Sequence, residues 1–189
     1  MNNTKNKIIN AAIALFQQQG YSKTTVVSIC RRSGVTKATF YAYFGNKDDL
    51  IYAYSEQQVQ QLTHELPYIM ATYSTKEQIW KIYEHNIDSM LQLCASTCKD
   101  FFLSDIQRGM LYFSPRSATK ISTARYQQTQ LVNILIGKAQ TEGEIRPFKP
   151  EVLNQTFVKL IIVTCLDWCS NSANYDLKAE LRRMFDALF

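Results

Sequence analysis

From Thr24 to Phe44 the chain reads TTVVSICRRSGVTKATFYAYF, two short apolar-periodic segments joined by Ser33, Gly34 and Val35. Each segment opens on a hydroxyl that can accept a hydrogen bond from the unpaired N–H groups of a first helical turn: Thr24 or Thr25 for the first, Thr36 for the second. Gly34 supplies a C-terminal stop for the first helix. Val26, Ile29 and Cys30 form its inner face. Two short helices joined by a tight turn containing Gly make a helix-turn-helix pattern. Phe40 and Phe44 are four residues apart and share the inward face of the second helix. Tyr41 and Tyr43 then project elsewhere, with phenols free to reach an anion.

Charge points the same way. Residues 1 to 47 hold Lys5, Lys7, Lys23, Arg31, Arg32, Lys37 and Lys47 and no Asp or Glu, whereas the whole chain is only +5. A basic module joined to a nearly neutral remainder is the footprint of a polyanion partner. Thr36, Lys37 and Thr39 sit at the helix end that enters the major groove in this motif. Free N–H groups and the helix dipole favour phosphate there, and Lys47 adds a charge at the start of the next helix.

The flanking sequence is also helical in period. NKIINAAIALFQQQG places Ile8, Ile9, Ala12, Leu15 and Phe16 on one face, with Gly20 as terminator. Asn46 caps a fourth helix starting near Lys47 and running to about residue 64, with Leu50, Ile51, Tyr54, Val59 and Leu62 at packing positions. Further on, KEQIWKIYEHNIDSMLQLCAS, KDFFLSDIQRGML, a long helix from about Ser117 to Thr141, PEVLNQTFVKLIIVTCLDWCS and DLKAELRRMFDALF read as helices. A hydrophobic share of 46% with only 6 Gly and 4 Pro excludes a disordered chain. The expected fold is all-α: a three-helix helix-turn-helix head (1–47) on a helical body (48–189). No signal peptide is recognisable. The run 157–169 carries Lys159 and Asp167 and is too short to span a bilayer. The expected location is the cytoplasm, with no membrane partner.

Residues 6 to 54 resemble the N-terminal domain of TetR-type transcriptional regulators. The resemblance rests on Phe16, Gly20-Tyr21, Thr25, Ile29, Gly34-Val35-Thr36, Thr39-Phe40-Tyr41, Tyr43-Phe44, Lys47 and Leu50 at fixed spacings. It implies a homodimeric repressor that grips a near-palindromic double-stranded DNA operator and is released by a small-molecule effector. Carried over by position, Thr25, Tyr43 and Lys47 match phosphate contacts. Lys37, Ala38, Thr39 and Tyr41 match positions facing bases or the groove wall, and Thr36 opens that helix. Cys30 stands where a small Ala is usual. The first helix of the motif lacks the acidic residue often found near its start, which leaves its capping box incomplete.

In such proteins the last two long helices pair across the dimer, which makes Leu160, Val163, Leu177, Leu181, Met184, Phe185 and Leu188 the expected interface. The effector site is expected inside the body, with Tyr83, Ile87, Phe102, Ile106, Tyr112, Tyr126, Gln130 and Trp168 as candidates. Few ionisable residues lie on apolar faces there, which favours a neutral or cationic aromatic effector.

Two other readings stay open. Cys94 and Cys98 are four apart, as are Cys165 and Cys169, so two helices in contact would bring four thiols together as a metal or redox sensor; the alternative is that these are small buried hydrophobes. A body that binds another protein, with no small-molecule effector, is the other. No phosphate loop, nucleophile elbow or HExxH is present, so no enzyme, cofactor or metal is expected.

Overall fold

Capping chemistry sets the helix boundaries of the head. The structure is a computed structural model that describes residues 3–93, 97–100, 103, 123–171 and 174–189. Among the described residues the eight long elements are all helices: α1 (Asn3–Gln19), α2 (Val26–Ser33), α3 (Lys37–Tyr43), α4 (Asp48–Thr72), α5 (Thr75–Leu91), α6 (Thr123–Thr141), α7 (Pro150–Ser170) and α8 (Leu177–Leu188). The candidates Cys94, Phe102, Ile106 and Tyr112 lie outside the described residues, as does the expected start of the long helix before Thr123.

Thr25, not Thr24, caps α2. Its side chain accepts the Ser28 N–H at 3.2 Å, and Ser28 Oγ accepts the Thr25 N–H at 3.1 Å. The capping box is therefore complete, closed by a serine where an acid was looked for. Thr24 is buried and donates to the Gly20 carbonyl at 2.8 Å. Gly34 ends α2 at φ +70°, a left-handed conformation that side chains resist, and Val35 N–H returns to the Cys30 carbonyl at 3.1 Å. Thr36 then caps α3 by accepting Thr39 N–H at 3.1 Å. Ile29 and Cys30 of α2, with Phe40 and Phe44, are buried against Ile8, Ile9, Ala12 and Phe16 of α1.

α4 is longer than its periodicity suggested, running on through Pro67 to Thr72. At its start, Asn46 Oδ1 accepts the N–H groups of Asp48 and Asp49 at 2.8 and 3.2 Å, while Asp49 Oδ2 accepts those of Gly45 and Asn46. Asp48 and Asp49 also suit the positive end of the helix dipole.

In the body, α4, α5, α6 and α7 pack in succession and α8 lies against α5 and α7. An aromatic cluster fills the space between α5, α7 and α8: Phe185 stacks on Phe189 at 4.5 Å and meets Trp80 and Phe157 at 5.4 Å, and Tyr83 meets Phe157 at 4.8 Å. Beside it runs a buried polar chain. Tyr83 donates to Asn154 Oδ1 at 2.9 Å, and Asn154 Nδ2 donates to Asn133 Oδ1 at 2.7 Å. Burial raises the Tyr83 phenol far above its ordinary range.

The run 157–169 belongs to the longer helix α7, which by length and composition alone could cross a membrane, with a mean hydropathy of 1.3. Here its Leu153, Phe157, Ile161, Ile162 and Cys165 are buried inside the protein.

Candidate nucleic-acid interface

α2 and α3 leave one continuous surface uncovered. Thr25, Val27, Thr36, Lys37, Ala38, Tyr41, Ala42 and Tyr43 are exposed, and Thr39 is half-buried. Tyr41 is 56% exposed although its ring sits edge-on against buried Phe40 at 5.4 Å. That contact fixes the ring's direction while leaving the phenol outside. Thr36 and Thr39 share a hydroxyl–hydroxyl contact of 2.9 Å, so both are oriented at the α3 N-terminus. Lys23, Arg31, Arg32 and Lys37 of the head are all exposed. Arg32 is held by Gln18 at 2.8 Å. Of the acids at the head, Asp48 accepts the Tyr21 hydroxyl, Asp49 caps Gly45 and Asn46, and Asp100 accepts the Ser22 hydroxyl. The surface is thus a positive, hydroxyl- and phenol-bearing ridge, suited to phosphates and groove edges.

Lys47 has a second role that its position in the sequence did not reveal. Its ammonium donates to the carbonyls of Tyr21 (2.9 Å) and Thr24 (3.3 Å) and lies 4.0 Å from the centre of the Tyr21 ring. Burial lowers its pKa below the ordinary lysine range, against the attraction of Asp100. Lys47 therefore ties the α1–α2 loop to the start of α4. Lys47→Ala is expected to lower head stability by about 1–2 kcal/mol, because two carbonyls lose a charged donor. Thermal unfolding measures it, and an unchanged Tm would mean the clasp contributes nothing. Val27, which sequence reasoning passed over, and Lys23, which it counted only as charge, are also exposed. Val27 breaks the polar pattern and Lys23 lies in a loop, so neither gave a periodic signal.

Among the described residues, the expected effector candidates differ in burial. Tyr83 and Ile87 are buried in the body core, whereas Tyr126 and Gln130 are exposed on the outer side of α6. Trp168 is half-buried and donates its indole N–H to the Tyr175 carbonyl at 3.0 Å. The expected dimer residues divide similarly. Leu177, Leu181 and Phe185 are buried within their own protomer, Leu160, Met184 and Leu188 are half-buried, and Val163 is 64% exposed.

Residues 8–54 match the family described as bacterial regulatory proteins, tetR family. Residues 8–54 form a TetR-type head. The TetR-type head is 36% identical over 63 residues to the HTH-type transcriptional regulator HbdR of Aromatoleum sp. (strain CIB), a match covering 33% of this chain and 28% of HbdR. The chain thus spans under a third of that curated relative. Solved structures resemble it along nearly its whole length. Thermus thermophilus FadR, described as a TetR-family transcriptional repressor in complex with lauroyl-CoA, superposes with a TM-score of 0.67 at 20% identity, covering 97% of this chain and 92% of FadR. Bacillus subtilis FadR in complex with stearoyl-CoA gives 0.67 at 23% identity, covering 97% and 96%. At these identities the likeness is one of fold, and it covers the body as well as the head.

Proposed function

We propose that this TetR-family chain is a cytoplasmic, homodimeric transcriptional regulator that binds a two-fold DNA operator and releases it when a small molecule occupies its body. The observation that carries this reading is the α2–α3 surface, free of Asp and Glu and exposing Thr25, Thr36, Lys37, Ala38, Tyr41 and Tyr43, within the span 8–54 that matches the family head. Lys37, Ala38, Thr39 and Tyr41 face bases and the groove wall, while Thr25, Tyr43 and the third donor of Lys47 face phosphates. The domain boundary falls at Lys47, where the head passes into α4. Effector binding acts by population shift, so its size is set by the effector's differential affinity for the two head arrangements.

Contacts between α1 and the body support this coupling. Gln57 of α4 donates to Asn6 of α1 at 2.9 Å, and Gln17 of α1 donates to the Gln92 carbonyl at 2.6 Å. The effector class is tested with both kinds of probe: lauroyl- and stearoyl-CoA, the ligands of the two FadR structures, and neutral or cationic aromatics, favoured by the scarcity of ionisable groups in the body.

The test is selection from a random duplex DNA pool followed by fluorescence anisotropy. An inverted repeat should be enriched, with affinity falling steeply as salt rises. Absence of any enriched sequence would overturn the reading. The exposed apolar side of α7 gives the dimer its own test. Val163→Asp places a charge where the partner's apolar surface would sit, and should shift sedimentation from dimer to monomer at micromolar protein. A dimer of undiminished stability would move the interface elsewhere.

A further inference from the structure

One helical turn of the body, residues 97–100, bears on the end of α1 and on the loop that follows it. The Thr97 hydroxyl donates to the Phe16 carbonyl at 3.3 Å, and both residues are fully buried. Ser22, in the loop just past α1, donates its hydroxyl to the Asp100 carboxylate. Helical positions three apart share a face, so one side of this turn presents both groups to the head. Lys99 lies round the turn from Asp100, because adjacent positions do not face each other. Nearby, Gln17 of α1 donates to the Gln92 carbonyl at 2.6 Å, a further hold on the same end of α1. Asp100 is thus a carboxylate of the body set against the head at a defined place.

The loop it touches leads straight into α2. The Thr24 N–H returns to the Tyr21 carbonyl at 3.1 Å, which folds residues 21–24 into a turn with Ser22 and Lys23 at its corner. Ser22, Lys23 and Thr25 are exposed. Even a fully extended backbone would span only ~11 Å from Ser22 to Thr25, and the turn shortens it. That is comparable with the ~8 Å over which salt screens charge under physiological conditions. A phosphate held at Lys23 or Thr25 therefore lies within the field of the Asp100 carboxylate. Lys47 does not pair with that carboxylate; it gives N–H groups to the Tyr21 and Thr24 carbonyls instead.

We propose that Asp100 is an electrostatic brake on DNA binding: a carboxylate that the body holds against the α1–α2 loop and that repels the phosphates this loop and α2 approach. The inference rests on the DNA-binding reading and adds to it a residue that opposes binding. Like charges about 10 Å apart at a wet surface change an association constant by about threefold to tenfold at low salt. Screening removes most of that as salt rises. The repulsion acts on the phosphate backbone, so it is alike for every sequence and leaves operator choice untouched. Because a body segment carries the charge, the brake depends on how body and head are docked, unlike the attraction of the head's own lysines.

The test compares the unaltered full-length protein with Asp100→Asn, Asp100→Glu and Asp100→Lys. The Asn amide still accepts the Ser22 hydroxyl but carries no charge. Glu keeps the charge and displaces the hydrogen bond, and Lys reverses the charge. Fluorescence anisotropy measures each on the selected duplex and on an unrelated one, at about 50 mM and about 300 mM salt. Asp100→Asn is expected to bind both duplexes about three to ten times more tightly at the lower salt, with a gain below about twofold at the higher. Asp100→Lys should gain more than Asp100→Asn, and Asp100→Glu should match the unaltered protein. Thermal unfolding confirms that each variant is folded, and the Lys variant decides the sign of the charge effect if the Asn variant is not. Unchanged or weaker binding by Asp100→Asn, a gain that ignores salt, or an equal gain from Asp100→Glu would each overturn the proposal, the last by making the contact a tether rather than a charge. If the unaltered protein selects no duplex, the DNA reading falls and the brake with it; if it binds tightly and Asp100→Asn gains nothing, only the brake falls.

Discussion

Phe185→Ala is expected to lower the stability of the protein by about 3–5 kcal/mol, a large share of the ~5–15 kcal/mol available to a domain. Phe185 is 0% exposed and contacts Phe189, Trp80, Phe157 and Tyr83. Removing its ring leaves a cavity walled by rigid aromatics that cannot collapse onto it, so both the transfer and the cavity costs apply. Around this ring, Arg182 lies over Trp80 and is paired with Glu77, so the same loss would loosen the α5–α8 seam. Urea unfolding at fixed protein concentration measures the effect, because dimerisation would otherwise enter the midpoint. A loss below about 1 kcal/mol, accompanied by a weaker dimer, would instead assign Phe185 to the interface that its place in the terminal helix first suggested.

Lys37→Glu should reduce affinity for the selected duplex by about 100-fold or more at moderate salt, with Tm unchanged. The substitution removes a cation and sets a carboxylate against the phosphates or a guanine edge, so attraction becomes repulsion. Lys37 is exposed in the first turn of α3, where an acid is favourable for the helix itself, so the protein should fold normally. The salt dependence should flatten by roughly one unit if the contact is to phosphate. A selective loss on sequences with guanine at one position would identify a base contact. Affinity within twofold of the unaltered protein would remove Lys37 from the interface.

The head was largely legible in the sequence because its instructions are local. Thr25, Gly34 and Thr36 act on backbone groups within a few residues of themselves, and the Phe40–Phe44 spacing states which side of α3 is covered. Ser28 escaped notice because the capping-box signature was sought as an acid or amide, and a serine hydroxyl reached the same N–H. The role of Lys47 was not legible, since its acceptors, the Tyr21 and Thr24 carbonyls, meet it only after three helices have packed. In the body, periodicity identified the apolar side of α8 but not the surface it covers. Leu177, Leu181 and Phe185 turn to their own protomer, a fact set by the arrival of α5 and α7. Tyr126 and Gln130 are exposed on α6, which their spacing alone did not state.

The clasp at the start of α4 has a mechanical consequence. Lys47 grips two carbonyls of the preceding loop, Tyr21 holds Asp48, and Asn46 and Asp49 cap each other's turns. A joint cross-braced in this way resists swivelling of the head on the first turn of α4. The head must ride on that helix as the blade of an oar rides on its shaft. Any displacement applied to the far part of α4 therefore arrives at the α3 ridge magnified by the length of the shaft rather than absorbed at the neck.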